Sequence, residues 1–176
     1  MTADDRLERL WVPYRMSYVR GEEPEPDDSC PFCRIASGGR QSELVVHRGT
    51  HCFVVLNLYP YNPGHLMVVP NRHVADYTDL TEDETCEVAT LTQQALRAVR
   101  AASNPHGFNV GLNLGGVAGG SLSQHLHQHV VPRWSGDANF MTVLGQTKTL
   151  PQLLEDTRDL LADAWPGETP TTEDDA

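Results

Sequence analysis

The sequence has 176 residues, and its hydrophobic fraction of 39% suits one globular domain with a hydrophobic core. Its net charge of −11 argues against a general nucleic-acid-binding protein. No apolar run approaches the ~20 residues that a membrane helix requires, and the acidic N-terminus lacks the apolar segment of a secretory signal. We therefore expect a cytoplasmic protein that binds neither nucleic acid nor membranes.

The negative charge is concentrated in two segments. Residues 22–28 carry five acidic groups, and residues 166–176 carry four more and no basic group. Without these nine, fifteen acidic groups face thirteen basic ones, so the remaining chain can still build a phosphate site. We expect an N-terminal extension with an acidic linker at 1–29, one domain at 30–165, and a disordered tail at 166–176.

The first half of the expected domain alternates short apolar runs with turn residues. Strands are predicted at 43–46, 52–58 and 65–70, the last two being separated by a loop with two prolines and a glycine. Thr81 and Glu84 form a capping-box pattern, and apolar residues then recur at helical spacing. The pattern predicts a helix at 81–102.

The second half contains further strands and a last helix. Strands are predicted at 108–114 and 125–132, with a glycine-rich loop at 115–120 between them, and a short extended segment is predicted at 139–144. A helix is predicted at 151–164, with Leu153, Leu154, Leu160 and Leu161 as its apolar stripe. This order of elements indicates an α+β fold with a largely antiparallel sheet.

Three of the eight histidines occupy alternating positions in one predicted strand. Alternate strand residues share a face about 6.6–6.8 Å apart, so His125, His127 and His129 should project together. Imidazole suits metal binding as well as nucleophilic or acid–base chemistry near neutral pH. A solvated histidine-rich edge or an adventitious metal site is the alternative.

The glycine-rich loop at 115–120 leads directly into this cluster. Backbone N–H groups of such a loop, together with the Ser121 hydroxyl, can contact an anion. A glycine-rich turn alone is usually only a turn, but its position here predicts a phosphate loop beside a nucleophile.

Two of the four cysteines are spaced as Cys30-Pro31-Phe32-Cys33, which lets two thiolates bind one metal ion. A redox or inert pair is also compatible with the spacing, although no surrounding βαβ unit supports a thioredoxin-like role. We expect Cys52 and Cys86 to be small buried hydrophobic residues.

The segment His125-Leu126-His127-Gln128-His129-Val130-Val131 resembles the motif of the histidine-triad (HIT) family, in which apolar residues separate the histidines. Gln128 departs from that pattern and is expected to face away from the histidines. The resemblance runs from about residue 30 to 134. It includes the segments 56–57, 63–70 and 118–121.

The sequence is more closely similar to the actinobacterial diadenosine-tetraphosphate phosphorylases of this family. The matching stretches lie partly outside the generic motif, at 10–16, 56–70, 105–114 and 131–140. The pair Cys30 and Cys33 departs from at least some members of that subfamily.

The resemblance implies that His127 attacks the α-phosphorus of a dinucleoside polyphosphate through Nε2, while its other ring nitrogen donates to the His125 carbonyl. His129 would donate to phosphate oxygens and stabilise the transition state. Substrate contacts would come from six further residues: Asn57 at the ribose, Leu56 and Leu58 at the base, and Asn113, Gly120 and Ser121 at the phosphates. Independently of the resemblance, the position of Trp134 directly after the predicted strand is compatible with closing the site and equally with packing in the core.

The acceptor of the second step decides the reaction. Phosphate would give ADP, so that diadenosine tetraphosphate yields ADP and ATP, whereas water would give AMP. The subfamily resemblance favours the phosphorylase over the hydrolase. A non-catalytic nucleotide-binding module is a third reading, which the complete nucleophile-and-loop pattern disfavours.

The resemblance also implies a structural zinc ion and an assembly. In family members that keep the C-x-x-C pair, the other two ligands match His73 and His125, so Cys30, Cys33, His73 and His125 would complete the site. No organic cofactor is expected. His65, in the Pro-Gly-His segment, would lie near the triad in a supporting role, and a homodimer or higher homo-oligomer is expected.

Overall fold

The computed structural model describes residues 30–39, 41–119, 122–137 and 152–167. The chain divides into two compact units. One comprises Ser29–Ser135 and Leu150–Ala176, and contains all the helices and strands given below. The other comprises Met1–Asp28 and Gly136–Thr149, of which only Gly136 and Asp137 are described. The predicted extension at 1–29, the segment at 139–144 and most of the tail lie outside the described residues.

Among its described residues, the first unit contains three α-helices and five strands. The helices are α1 (Pro31–Ala36), α2 (Glu82–Ser103) and α3 (Leu154–Asp163). The strands are β1 (Val45–Arg48), β2 (Cys52–Leu56), β3 (Leu66–Pro70), β4 (Gly107–Leu112) and β5 (Gln128–Arg133). All the strand pairs are antiparallel, and the sheet order is β1-β2-β3-β5-β4. The predicted α+β class is therefore confirmed.

The centre of the sheet is apolar on both sides. Every residue of β2 and β3 is buried, which explains why these strands are continuous apolar runs rather than alternating ones. The chain enters β1 from a short 3-10 turn at Ser42–Leu44, so β1 lies about two residues later than predicted. Strands β2 and β4 end two residues earlier than predicted, at Leu56 and Leu112.

Helix α2 differs from the prediction by one residue at each end. Its capping box is present: the Glu84 amide donates to Thr81 Oγ1 at 3.2 Å, and the Thr81 amide donates to Glu84 Oε2 at 2.9 Å. Asn104 ends the helix in a left-handed conformation with φ of 44°. Local side-chain chemistry therefore sets both ends.

The two faces of the sheet pack against different helices. On one face the Cys52 thiol lies 3.9 Å from the Glu84 carbonyl, and Gln128 donates to Thr92 at 2.6 Å, so this face meets α2. On the other face Arg48 lies over the Phe53 ring and donates to the last carbonyls of α1. Because neighbouring strand residues point to opposite faces, His129 lies on the side away from α2.

The strand that was predicted at 125–132 begins three residues later. The last residue pair between β3 and β5 joins Val68 to Gln128, after which β3 ends at Pro70. His125 to His127 therefore form a lead-in without ladder partners on β3, and the Leu126 amide donates to the Val74 carbonyl at 2.6 Å instead. The predicted strand boundary is wrong because it depends on where a distant strand leaves the sheet.

Two further predictions are wrong in their details. Helix α3 covers 154–163 and buries Leu161 and Thr157, whereas Leu153 is 67% and Leu160 38% exposed, so half of the predicted stripe faces solvent. Cys52 is buried as predicted, but Cys86 is exposed. Cys86 lies two residues after the buried Glu84 in α2, which is a rotation of about 200° around the helix axis. Its side chain therefore points away from the sheet.

Charged groups connect α2 to the segments beside it. Arg72 forms two hydrogen bonds with the Glu84 carboxylate, at 2.9 and 2.8 Å, and these bonds lower the pKa of Glu84 to about 2 despite its burial. Glu87 accepts hydrogen bonds from the amides of Thr50, His51 and Cys52 in the β1–β2 turn. The described helices include none that is long and apolar enough to cross a membrane.

Candidate functional site

His127 is buried in the lead-in to β5, and its ring orientation is fixed by the backbone. Its Nδ1 lies 2.9 Å from the His125 carbonyl oxygen. Because a carbonyl only accepts, Nδ1 carries the proton, and Nε2 keeps its lone pair. Burial lowers the pKa of His127, and the hydrogen bond to the carbonyl opposes that shift only in part. The result is a neutral imidazole with an available lone pair, which is the form a nucleophile needs.

His125, two residues before His127, has different partners. Its Nε2 donates to the Pro70 carbonyl at 2.9 Å, which leaves the Nδ1 lone pair directed at the two cysteines. Burial and the neighbouring His73 and His127 lower the pKa of His125. The three histidines, expected as equivalent side chains on one strand face, therefore occupy two different environments.

Three side chains that are distant from His125 in the sequence meet it: those of Cys30, Cys33 and His73. Cys30 Sγ lies 3.3 Å and Cys33 Sγ 3.6 Å from His125 Nδ1, and Cys33 Sγ lies 3.3 Å from His73 Nδ1. All the possible ligand atoms of this group lie within 4.8 Å of one another. Tetrahedral Zn–S and Zn–N bonds of about 2.3 and 2.1 Å place sulfur and nitrogen about 3.6 Å apart. The donor set and its spacing therefore fit a tetrahedral metal ion.

Phe32 links this four-residue group to His127. Phe32 lies between Cys30 and Cys33 in sequence, as the second residue of α1, and its ring centroid is 5.4 Å from that of His125 and 5.0 Å from that of His127. Pro31 at the first helical position starts α1, and Arg48 binds the carbonyls at its end. This contact was not predicted, although an aromatic residue between two cysteines is a signal for it in the sequence.

His129 is half-buried on β5 beside His127, with ring centroids 4.9 Å apart in an edge-on arrangement. Its Nδ1 lies 2.9 Å from Nε2 of the fully buried His65. The Tyr61 ring lies 4.8 Å from the His65 ring and 6.0 Å from the His129 ring. The predicted proximity of His65 to the triad is therefore present as a direct hydrogen bond.

Two of the polar residues proposed to bind substrate lie directly after strands of the sheet, β2 and β4. Asn57 follows β2, and its Oδ1 accepts from the Tyr59 amide at 2.9 Å. Asn113 follows β4; if the β4–β5 register were continued by one residue, it would lie opposite His127. The loop after Asn113 has left-handed glycines at Gly115 and Gly119. The predicted phosphate ligands at 120 and 121 lie outside the described residues.

The apolar candidates differ in exposure. Leu56 is part of the buried core, whereas Leu58 is 38% exposed and offers its surface beside Asn57. Trp134 is half-buried, and its indole Nε1 donates to the Ser103 carbonyl at the end of α2 at 3.4 Å. This bond anchors Trp134 directly after β5.

Comparisons with known proteins agree with this geometry. A family model described as HIT domain matches residues 39–136. A Mycobacterium tuberculosis H37Rv protein named AP-4-A phosphorylase is 56% identical over 168 residues, covering 92% of this chain and 86% of that protein. An uncharacterized HIT-like protein of Methanocaldococcus jannaschii is 30% identical over 69% of this chain and 91% of its own. A solved zinc-bound histidine triad family protein from Mycobacterium smegmatis has a TM-score of 0.65 and 30% identity, covering 77% of this chain and 92% of that one.

Proposed function

The chain belongs to the HIT domain family, and from that premise we propose that it is a diadenosine tetraphosphate phosphorylase that forms ADP and ATP. The observation that carries the proposal is His127, a buried neutral imidazole whose Nε2 lone pair is left available by the Nδ1 bond to the His125 carbonyl. The 56% identity to a protein named AP-4-A phosphorylase supports the choice of substrate.

The proposed reaction has two displacements at one phosphorus. Nε2 of His127 attacks the α-phosphorus of diadenosine tetraphosphate, the P–O bond to the polyphosphate breaks, and ATP leaves. An oxygen of inorganic phosphate then attacks the adenylyl-histidine, the P–N bond breaks, and ADP leaves with His127 restored. His129 donates a hydrogen bond to the phosphate oxygens as charge develops on them.

Substrate binding is proposed for the residues around the ends of β2, β4 and β5. Asn57 would bind the ribose hydroxyls, and Leu58 would cover the base, with Leu56 supporting it from the core. Asn113 and residues 120–121 would hold phosphate oxygens, and Trp134 would close one side. The support is the position of Asn113 directly after β4, which pairs with β5, and of Asn57 directly after β2, which is separated from β5 by β3.

Product analysis with and without inorganic phosphate tests the reaction. We expect ADP and ATP from diadenosine tetraphosphate only when phosphate is present, and no product from His127→Gln. His51→Gln is the matched control, because it removes an exposed imidazole of the β1–β2 turn. Formation of AMP and ATP regardless of phosphate would make the protein a hydrolase. Tight binding without turnover by the wild type would make it a nucleotide-binding module.

We also propose that Cys30, Cys33, His73 and His125 bind one structural zinc ion. The support is their mutual spacing and the lone pair that His125 Nδ1 directs at both thiols. A zinc ion held there would tie α1 to the segment that carries His127. Elemental analysis should find about one zinc per chain, and a metal-free protein that is fully folded and active would contradict the proposal.

We also propose that the protein is a homodimer and that it is located in the cytoplasm. Strand β4 is the last strand of the described sheet, and Asn109, Val110 and Gly111 on it are exposed, so its edge can pair with a second copy. The cysteines are free thiols, as expected in a reducing compartment. Light scattering after size exclusion should give twice the chain mass of 19.5 kDa.

A further inference from the structure

Three residues of β5 project from the face of the sheet that carries His129. Because alternate strand residues share a face, these are His129, Val131 and Arg133, and the last lies about 13 Å along the strand from the first. On the paired strand β4, Gly111 lies opposite His129, and Asn109 lies opposite Val131. These five residues form a strip of the sheet surface, the β4–β5 strip, that leads from His129 to Arg133.

The surroundings of His129 differ between its two neighbouring strands. On the β4 side, a Cβ added to the exposed Gly111 would meet no atom of the described residues within 4 Å. On the β3 side, His129 Nδ1 lies 2.9 Å from His65 Nε2, and the Tyr61 ring is 6.0 Å from the His129 ring. The described part of the chain therefore leaves space for a phosphate chain to continue from His129 along the β4–β5 strip.

A hydrogen bond holds the Arg133 side chain in the direction of His129. Arg133 Nη1 donates to Asn109 Oδ1 at 2.7 Å, and Asn109 is paired with Val131, two residues before Arg133. The guanidinium therefore lies near the level of Val131, about 7 Å along the strand from His129. A single polyphosphate chain can contact both side chains over that distance, and a guanidinium presents a planar fork of N–H donors that matches phosphate oxygens.

The charge of the β4–β5 strip also favours phosphate. These two described strands contain no acidic residue, and Arg133 is their only permanently charged side chain. The chain as a whole has a net charge of −11, which repels polyanions. A cationic group beyond His129, with no carboxylate on the same two strands, therefore attracts the part of a polyphosphate that extends past the α-phosphate.

We propose that Arg133, oriented by Asn109, binds the phosphates of the departing nucleotide. Arg133 is then a specificity-determining residue, because it favours a substrate with a long polyphosphate chain over one with a single phosphate beyond the α-phosphate. The inference rests on the proposed function, since it requires the α-phosphate to be bound at His127 and His129.

Two reactions that share one adenylyl-histidine test the inference in the full-length protein. Phosphorolysis of diadenosine tetraphosphate releases ATP as the leaving group. Exchange of labelled inorganic phosphate into ADP breaks and re-forms the P–O bond between the α- and β-phosphates, so that only inorganic phosphate leaves and attacks.

Arg133→Met should lower kcat/KM for diadenosine tetraphosphate by about tenfold or more, the scale of one lost hydrogen bond to a charged group. The loss should be confined to that substrate, with the rate of phosphate exchange into ADP within about twofold of wild type. Arg133→Lys keeps the charge without the planar fork and should give an intermediate kcat/KM. Arg97→Met is the matched control, because it removes an exposed arginine of α2, and it should change neither reaction.

Two outcomes for Arg133→Met would overturn the inference. Equal losses in the two reactions would show that Arg133 serves the acceptor phosphate or the fold, and an unchanged kcat/KM would show that it is only a solvated charge. Asn109→Ala should lose part of the same kcat/KM and add little to Arg133→Met in the double variant. Fully additive losses would contradict the orienting role of Asn109.

Failure of the proposed function would be visible separately, as a wild type that releases AMP and ATP or no product from diadenosine tetraphosphate. Calorimetry without inorganic phosphate then decides the inference. Arg133→Met should weaken the binding of diadenosine tetraphosphate about tenfold and leave the binding of AMP unchanged, whereas equal affinities of wild type and variant for diadenosine tetraphosphate would overturn it.

Discussion

Gln128→Leu should leave the chemistry of the histidines intact, because the Gln128 side chain lies on the face of the sheet that meets α2. Its amide donates to Thr92 Oγ1 at 2.6 Å, and the Thr92 hydroxyl donates to the Val88 carbonyl at 2.6 Å. The polar residue in the motif therefore has its partner on the helix. We expect kcat for diadenosine tetraphosphate to stay within about twofold of wild type.

The two single substitutions should differ in their effect on stability. Thr92→Val leaves the amide of Gln128 without its acceptor, which costs about 1–3 kcal/mol of the free energy of unfolding. Gln128→Leu leaves the Thr92 hydroxyl bonded to Val88 and places an apolar side chain against the helix, so its cost should be below about 1 kcal/mol. The double variant should be close to Gln128→Leu alone, so the coupling should equal the cost of Thr92→Val, about 1–3 kcal/mol.

Urea denaturation of the four proteins, with kcat measured on each, tests this reasoning. A Gln128→Leu protein that is less stable than Thr92→Val would refute the hydrogen-bond argument. A loss of kcat in folded Gln128→Leu comparable to that in His127→Gln would refute the assignment of Gln128 to the helix side.

Three further results are expected. The Glu84 pKa is lowered to about 2, so the stability from its bonds to Arg72 is present above about pH 4.5 and is lost as the pH falls towards 2. Above pH 4.5, Glu84→Gln should lower the free energy of unfolding by about 1–2 kcal/mol, after allowance for the exposed guanidinium. This difference from wild type should disappear between pH 4.5 and 2 when denaturation is measured as a function of pH. Cys33→Ser should lose the zinc and lower the Tm, and an unchanged metal content would contradict the ligand set. Asn104→Ala should cost about 1 kcal/mol because its φ is 44°, whereas Asn104→Gly should be nearly neutral in the same thermal melts.

Local sequence patterns predict the elements whose causes are local. The capping box of Thr81 and Glu84 and the helical apolar spacing give α2 to within one residue at each end. The continuous apolar runs likewise predict the buried strands β2 and β3. Helix α1 escaped prediction because six residues are too few to show a period, although Pro31 begins it.

Features set by distant partners could not be predicted from local patterns. The start of β5 depends on β3 ending at Pro70, and the exposure of Leu160 depends on how α3 docks. Cys33 and His125, 92 residues apart, were brought together only through the family resemblance. The tautomer of His127 depends on the backbone carbonyl that faces its Nδ1, which requires coordinates.

Amide hydrogen exchange at the β1–β2 turn should report on α2 rather than on the hairpin itself. The Gly49 amide bonds to the Cys52 carbonyl at 2.8 Å within the hairpin. The amides of Thr50, His51 and Cys52 instead bond to the Glu87 carboxylate on α2. Separation of α2 from the sheet would therefore release these three protons together while Gly49 stays protected, so that four consecutive amides distinguish two different opening motions.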